Sequence, residues 1–338
     1  MSLNLIYRCT RPFLAACDPE TAHSLTLRAL RLAGRFRGVD QPQGAPIELA
    51  GLKFANRVGL AAGFDKNGEA IVGLTRLGFG FIEIGGVTPR AQPGNPKPRL
   101  YRLANYGAVI NRMGFNNDGV ESVRERLERT PMIDPTLLGV NLGINRDTPL
   151  DRAAADYQKC IRSLCDVADY FTINISSPNT PNLRDLQRDE RLGVTLKSVI
   201  MERDRRIGEI ERPLPIFVKI SPDLDAAITR ELALRVRDAR CDGLIASNTT
   251  TDRSAIHHRH AAEQGGLSGR PLFERALRSV GIVREAVGPD FPIIGVGGIS
   301  SATDAIAMRE AGADLIQLYT ALIYRGPALV RELVAAFS

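Results

Sequence analysis

Eight short apolar runs, spaced through most of the chain, constrain its fold more than any other feature. They are Arg57–Ala61, Phe81–Gly85, Leu137–Leu142, Tyr170–Ile175, Ile216–Ile220, Gly243–Ser247, Ile293–Val296 and Leu315–Tyr319. Each has the length and near-continuous hydrophobicity of a strand buried on both faces. Helix-length segments separate most of them, at 151–168, 189–207, 225–239, 272–287, 303–311 and 327–336. A strand–helix rhythm repeated eight times predicts a (β/α)8 barrel, and a doubly wound open sheet is the runner-up. Between the second and third strands lies an insertion, 88–118. Its segments Pro98–Leu103 and Ala108–Asn111, joined through Asn105-Tyr106-Gly107, predict a hairpin laid over one end of the barrel.

The first 40 residues differ in character. Asp18-Pro19 is a helix start, an N-cap carboxylate followed by proline at the first helical position. Ala22, Leu25, Ala29, Leu32 and Phe36 then recur at spacings of three and four, among arginines. The expected organisation is an α-helical extension over 1–40, a linker over 41–55 and the barrel over 56–338. The chain has 338 residues and a formal charge of +6. The extension carries six arginines against three acidic residues, so half of the excess lies there. That pattern suits an anionic surface better than a nucleic-acid groove, and no nucleic-acid partner is expected. Five cysteines without a C-x-x-C spacing read as free thiols in a reducing compartment. No apolar run is long enough to span a bilayer, and the start lacks a secretory signal.

In a barrel, chemistry sits just beyond the C-terminal ends of the strands. Polar and glycine-rich segments follow all eight runs here. Asn111, Asn141, Asn174, Asn179 and Asn248 bring neutral donor–acceptor groups toward one mouth, which suits a flat heterocycle with C=O and N–H groups. Few carboxylates accompany them, so no metal is expected. Lys66 and Lys219 end or follow buried strands and call for an anionic ligand. Gly265–Gly269 and Gly295–Gly298 let backbone N–H groups approach an anion. The second cluster follows strand 7, and Tyr319-Thr320 ends strand 8, where barrels often hold phosphate; a phosphorylated cofactor is implied. Ser177, in a proline-stiffened loop, could relay a proton or be an ordinary loop serine. The loop of His257, His258 and His260 reads as solvated.

Together these segments resemble the dihydroorotate dehydrogenases of the membrane-associated, quinone-using class. The motifs are Ala61–Asn67, Ile84–Arg90, Gly94–Leu100, Asn111–Asn116, Asn174–Asn179, Val218–Ser221, Ser247–Thr250, Gly265–Pro271 and Gly295–Ile299, with Asp18–His23 in the extension. The resemblance covers nearly the whole chain. The soluble class has cysteine at the position of Ser177 and lacks the extension, so both features point to the quinone class. The resemblance implies oxidation of dihydroorotate to orotate in pyrimidine biosynthesis, with FMN as cofactor and a membrane quinone as acceptor. FMN would contact Ala62, Gly63, Phe64, Asp65, Lys66, Gly86, Asn141, Asn174, Lys219, Ser247, Gly269, Gly298, Tyr319 and Thr320. Dihydroorotate would contact Lys66, Asn111, Arg112, Met113, Gly114, Phe115, Asn174, Asn179, Asn248 and Thr249, with Ser177 as base. Many relatives carry threonine where this chain has Gly86 and Ser247. A monomer, peripheral on the cytoplasmic face of a bacterial inner membrane through residues 1–40, is the expected setting. The weighed rivals are a soluble-class enzyme, a tRNA dihydrouridine synthase, and a non-enzymatic phosphate- or RNA-binding barrel.

Overall fold

The computed structural model describes residues 3–35, 44–131 and 134–337. Phe36, the last residue of the expected apolar stripe, and the start of the linker lie outside them. Two helices come first, α1 (Leu3–Ala16) and α2 (Pro19–Ala33), then a hairpin of β1 (Ile47–Leu49) and β2 (Leu52–Phe54). The barrel begins with β3 (Val58–Leu60), α3 (Ile71–Thr75) and β4 (Phe81–Val87). The insertion holds β5 (Leu100–Leu103) and β6 (Ala108–Asn111), and is followed by α4 (Val120–Glu128). Next come β7 (Leu137–Leu142), α5 (Ala153–Leu164), β8 (Tyr170–Asn174), α6 (Arg191–Ile210), β9 (Ile216–Ile220), α7 (Ala226–Asp238) and β10 (Gly243–Ala246). The chain ends with β11 (Gly266–Gly269), α8 (Phe273–Val287), β12 (Ile293–Val296), α9 (Ala302–Glu310), β13 (Leu315–Leu318), α10 (Thr320–Arg325) and α11 (Ala328–Ala336).

Eight strands close into a parallel barrel in chain order, β3-β4-β7-β8-β9-β10-β12-β13 and back to β3. All eight expected runs are these strands, each within two residues of its expected ends. The barrel interior is filled by rings rather than by aliphatic layers alone. Phe54, Phe81, Tyr170 and Phe217 meet successively edge to face, with centroids 5.3, 6.4 and 5.5 Å apart. Gly59, Gly139 and Gly243 make room for these rings: a Cβ on any of them would lie within 2.7 Å of a neighbouring ring. Phe54 comes from the β1–β2 hairpin, which with Ile47, Leu49 and Leu52 packs against this cluster.

The opposite end carries the expected hairpin, with one addition. β5 and β6 pair antiparallel, and β11 joins the other edge of β6. The segment Gly266–Gly269, read above as part of a glycine-rich anion loop, is therefore a strand. Its glycines hid the signal, because a strand without side chains shows no alternation.

The extension docks onto this upper end. Asp18 caps α2 as expected, accepting from the N–H groups of Glu20 and Thr21 at 3.1 and 3.0 Å. The face of α2 that meets the barrel is set by Leu27 and Leu30 together with buried Ala22. Leu32 of the expected stripe is 54% exposed instead. Arg99 grips Glu20 through two hydrogen bonds, at 3.2 and 2.7 Å. Both side chains are largely buried, so losing one partner strands the other, at a cost on the order of 3–5 kcal/mol. Arg102 donates to the carbonyls of Leu14 and Cys17, and the Tyr7 hydroxyl to that of Ile323.

Candidate active site

A cavity of about 800 Å³ opens at the C-terminal ends of the barrel strands, between the strand mouths and the extension. Every expected site residue lines it except Phe64, Asp65 and Arg112. Phe64 lies behind the wall, edge-on to Tyr319 at 5.7 Å. Asp65 is fully buried and accepts from the N–H groups of Glu69 and Ala70 at 2.8 and 2.7 Å, shaping the turn that carries Lys66. Arg112 turns outward, to Glu263 at 2.8 Å and to the Tyr101 hydroxyl at 2.6 Å.

The asparagines form a connected relay. Asn141 Nδ2 donates to Glu83, and Asn141 Oδ1 accepts from Asn174 Nδ2 at 3.0 Å. Asn174 Oδ1 accepts from the N–H and hydroxyl of Ser176 at 3.1 and 3.0 Å. Asn248 Nδ2 donates to Ser176 Oγ at 2.9 Å. Across the mouth, Asn179 Nδ2 donates to the carbonyl and side-chain oxygens of Asn111 at 3.2 and 3.3 Å. These bonds aim four of the five amides at one space and hold the hairpin residue Asn111 over it.

Ser177 is 6% exposed, and its Oγ accepts from Asn179 N–H at 3.2 Å. An N–H donor on Oγ lowers the cost of negative charge there, the direction a base requires. No histidine or carboxylate forms a hydrogen bond to Ser177 among the described residues, so a hydrolase triad is absent.

Two lysines face the cavity without a hydrogen bond or ion pair among the described residues. Burial lowers the Lys219 pKa, opposed by the nearby Glu83 charge. Burial likewise lowers that of Lys66, to about 8, with the Glu20 charge opposing. A buried ammonium such as Lys219, or a half-buried one such as Lys66, is costly without a partner, and an anionic guest satisfies it. The Tyr319 hydroxyl, its pKa pushed up to about 12 by burial, stays protonated and donates to the Gly63 carbonyl at 3.3 Å.

Four lining or supporting residues were not among the expected site residues, although Glu20 and His23 lie in the Asp18–His23 motif. Glu20 and His23 of α2 line the cavity, so the extension is part of its wall. His23 is held neutral, with a pKa near 3, first by burial and then by the Lys66 charge. Gln317 on β13 lines the floor, and Glu83 lies beneath it.

Comparison with known proteins places this geometry in a family. The family model for dihydroorotate dehydrogenase matches residues 45–337. A dihydroorotate dehydrogenase (quinone) of Polaromonas naphthalenivorans is 50% identical, over 98% of this chain and 97% of its own. That of an Azoarcus species (strain BH72) is 48% identical, over 98% of both chains. Among solved structures, that of DHODH from Eimeria tenella in complex with ferulenol superposes with a TM-score of 0.88 at 35% identity, covering 97% of this chain and 93% of that one.

Proposed function

The chain belongs to the dihydroorotate dehydrogenase family, and on that premise we propose how its own residues carry out the reaction. It oxidises dihydroorotate to orotate in pyrimidine biosynthesis and passes the electrons to a quinone. The observation that carries this reading is the pairing of a connected amide relay with two lysines in one cavity, Lys219 buried and Lys66 half-buried, neither paired among the described residues. That set fits an anionic pyrimidine beside a second, phosphorylated ring.

The residues fit FMN. Lys219 and the unpaired Gln317 Oε1 give the cavity floor one cationic donor and one acceptor. The glycine loop after β12 and Tyr319-Thr320 after β13 would hold its phosphate. When bound, the flavin supplies a hydride acceptor. Ala62, Gly63, Lys66, Gly86, Asn141, Asn174, Ser247, Gly269 and Gly298 would complete its surroundings, with Phe64 and Asp65 acting through the backbone they position.

Dihydroorotate would lie between that ring and the β6 loop. Lys66 would pair with its carboxylate, while Asn111, Asn174, Asn179 and Asn248 read its C=O and N–H groups. Met113, Gly114, Phe115 and Thr249 would enclose it. Ser177 would remove the C5 proton as hydride departs from C6. The Asn179 N–H on Oγ favours the deprotonated form of Ser177, which becomes a neutral hydroxyl when it takes that proton.

The quinone would approach between α1 and α2. Leu5, Ile6 and Phe13 are exposed on α1 and Leu32 on α2, among Arg8, Arg11, Arg28, Arg31 and Arg35. Among the described residues no helix is long and apolar enough to cross a membrane. The mixture supports peripheral binding to the cytoplasmic face of a bacterial inner membrane, apolar groups in the acyl boundary and arginines on anionic head groups; the chain is read as a monomer there. Anaerobic addition of dihydroorotate to purified protein tests the reading. Bleaching of the flavin absorbance, reversed by decylubiquinone, is expected. Colourless protein, or flavin that dihydroorotate leaves oxidised, would overturn it.

A further inference from the structure

Glu83 sits in the middle of β4 and is fully buried, beneath the cavity rather than on its wall. Four donors converge on its carboxylate. They are Asn141 Nδ2 at 2.9 Å, the Tyr170 hydroxyl at 3.2 Å, the Thr172 hydroxyl at 3.1 Å and Gln317 Nε2 at 2.8 Å. Two of the four are carboxamides, and both line the cavity above.

A carboxamide has a donor end and an acceptor end, whereas an ionised carboxylate only accepts. Placing a carboxylate here therefore decides which way each amide turns. Asn141 must point Nδ2 down, which leaves Oδ1 to receive Asn174 and orients the rest of the relay. Gln317 must do the same. Its Oε1 is then left buried and without a partner, although Gln317 itself is only 1% exposed. An unpaired buried acceptor is costly, so such an atom marks a place where a guest's N–H completes the bond.

We propose that Glu83 is a positioning residue that turns Gln317 so as to present a lone acceptor to an N–H of the bound flavin ring. This rests on the reading of the cavity as a flavin site. With Glu83→Gln, the most direct relief is for Gln317 to turn over, giving Oε1 to the new amide and Nε2 to the cavity. The guest's N–H then faces a donor. The swap Glu83→Gln with Gln317→Glu returns an acceptor to the cavity, keeps Asn141 turned as before and conserves charge.

The test follows flavin release from purified holoenzyme on dilution, read by the recovery of flavin fluorescence. Glu83→Gln is expected to release flavin at least about tenfold faster than the wild type, and the swap within about threefold of it. Thr172→Val removes one donor from the same carboxylate but leaves Gln317 turned, and release within twofold is expected. Release from Glu83→Gln within twofold of wild type overturns the proposal, as does a swap no better than the single variant. Tenfold faster release from Thr172→Val makes the role one of packing and overturns it too. If Glu83→Gln is insoluble or colourless, the swap decides: yellow soluble protein supports the proposal and colourless or insoluble protein overturns it. Wild-type protein without flavin would instead remove the parent reading, a distinct outcome.

Discussion

His23 meets the Phe64 ring edge-on, with centroids 5.4 Å apart, so α2 of the extension touches the loop after the first barrel strand directly. Phe64 in turn meets Tyr319 at the end of β13. The contact continues the cavity wall from the strand mouths to the extension. On the proposed reading it would lie between the two half-reactions, with pyrimidine chemistry under the hairpin and quinone chemistry beside α2.

Truncating His23 should therefore affect one half-reaction only. His23→Ala is expected to lower steady-state turnover with decylubiquinone about tenfold. Bleaching by dihydroorotate in stopped flow should stay within about twofold of wild type. Equal losses in both measurements would place His23 in the common framework instead.

If Lys66 pairs with the substrate carboxylate as proposed, dihydroorotate binding is pH-dependent. Its pKa is lowered to about 8, so the ammonium is present below that pH and disappears above it. An anionic substrate raises the pKa of the lysine it pairs with, so free protein shows the transition best. The Kd for dihydroorotate is expected to be flat below about pH 8 and to rise toward tenfold per unit above it. Lys66→Met should bind weakly and without this transition. A wild-type Kd constant from pH 7 to 10 would contradict the pairing.

For Ser177, geometry and chemistry meet at one oxygen. Ser177→Ala removes the atom that accepts from Asn179 N–H without changing the loop's proline. Positioned general bases contribute about 10²–10⁴-fold. The variant is expected to remain yellow and to be reduced by dihydroorotate at least about 100-fold more slowly. Near-normal reduction in a stopped-flow trace would remove Ser177 from the base role.

The sequence was most legible where burial is one-sided or complete. All eight barrel strands could be read because a strand covered on both faces needs an unbroken apolar run, and Tyr170–Asn174 or Ile216–Ile220 show little else. Short α3 gave no sustained 3.6-residue rhythm. In α4 only Val120, Val123 and Leu127 are buried among charged residues, too thin a stripe to stand out. The amides and lysines of the site were legible because polar residues at strand ends are informative. Glu83 was not, because one carboxylate inside Phe81–Val87 looks like an ordinary alternation until the four donors are seen around it. His23 and Glu20 lay in a legible motif, but their place in the cavity wall was not: it comes from docking α2 on the barrel, which no local pattern encodes.

Gly86 departs from the threonine expected of many relatives, and Phe115 fills the space a side chain would need. A Cβ on Gly86 would lie 2.5 Å from Phe115 Cδ1 and 2.7 Å from Cε1. Phe115 belongs to the loop that would cover the substrate, so the ring must move if a side chain returns. Overpacking of this kind costs about 1–3 kcal/mol. Gly86→Thr is expected to lower the Tm by several degrees and to raise the KM for dihydroorotate severalfold, while flavin stays bound. An unchanged KM would show that the loop reseats freely.

Gly73 gives the most discriminating test of the docked extension, because two effects have opposite signs. It lies in α3, where replacing glycine by alanine stabilises a free helix by about 1 kcal/mol. A Cβ there, however, would lie 2.0 Å from the Leu30 carbonyl oxygen and 2.6 Å from its carbon, and α2 backbone cannot yield without leaving the barrel. If α2 packs as described, Gly73→Ala should lower the Tm, expose residues 3–33 to limited proteolysis and impair decylubiquinone reduction. Reduction of flavin by dihydroorotate should persist. If α2 instead detaches readily in solution, the helix propensity prevails, and the same substitution should raise the Tm while proteolysis of the extension stays as in the wild type. A differential scanning trace and a timed digest of the two proteins separate these cases.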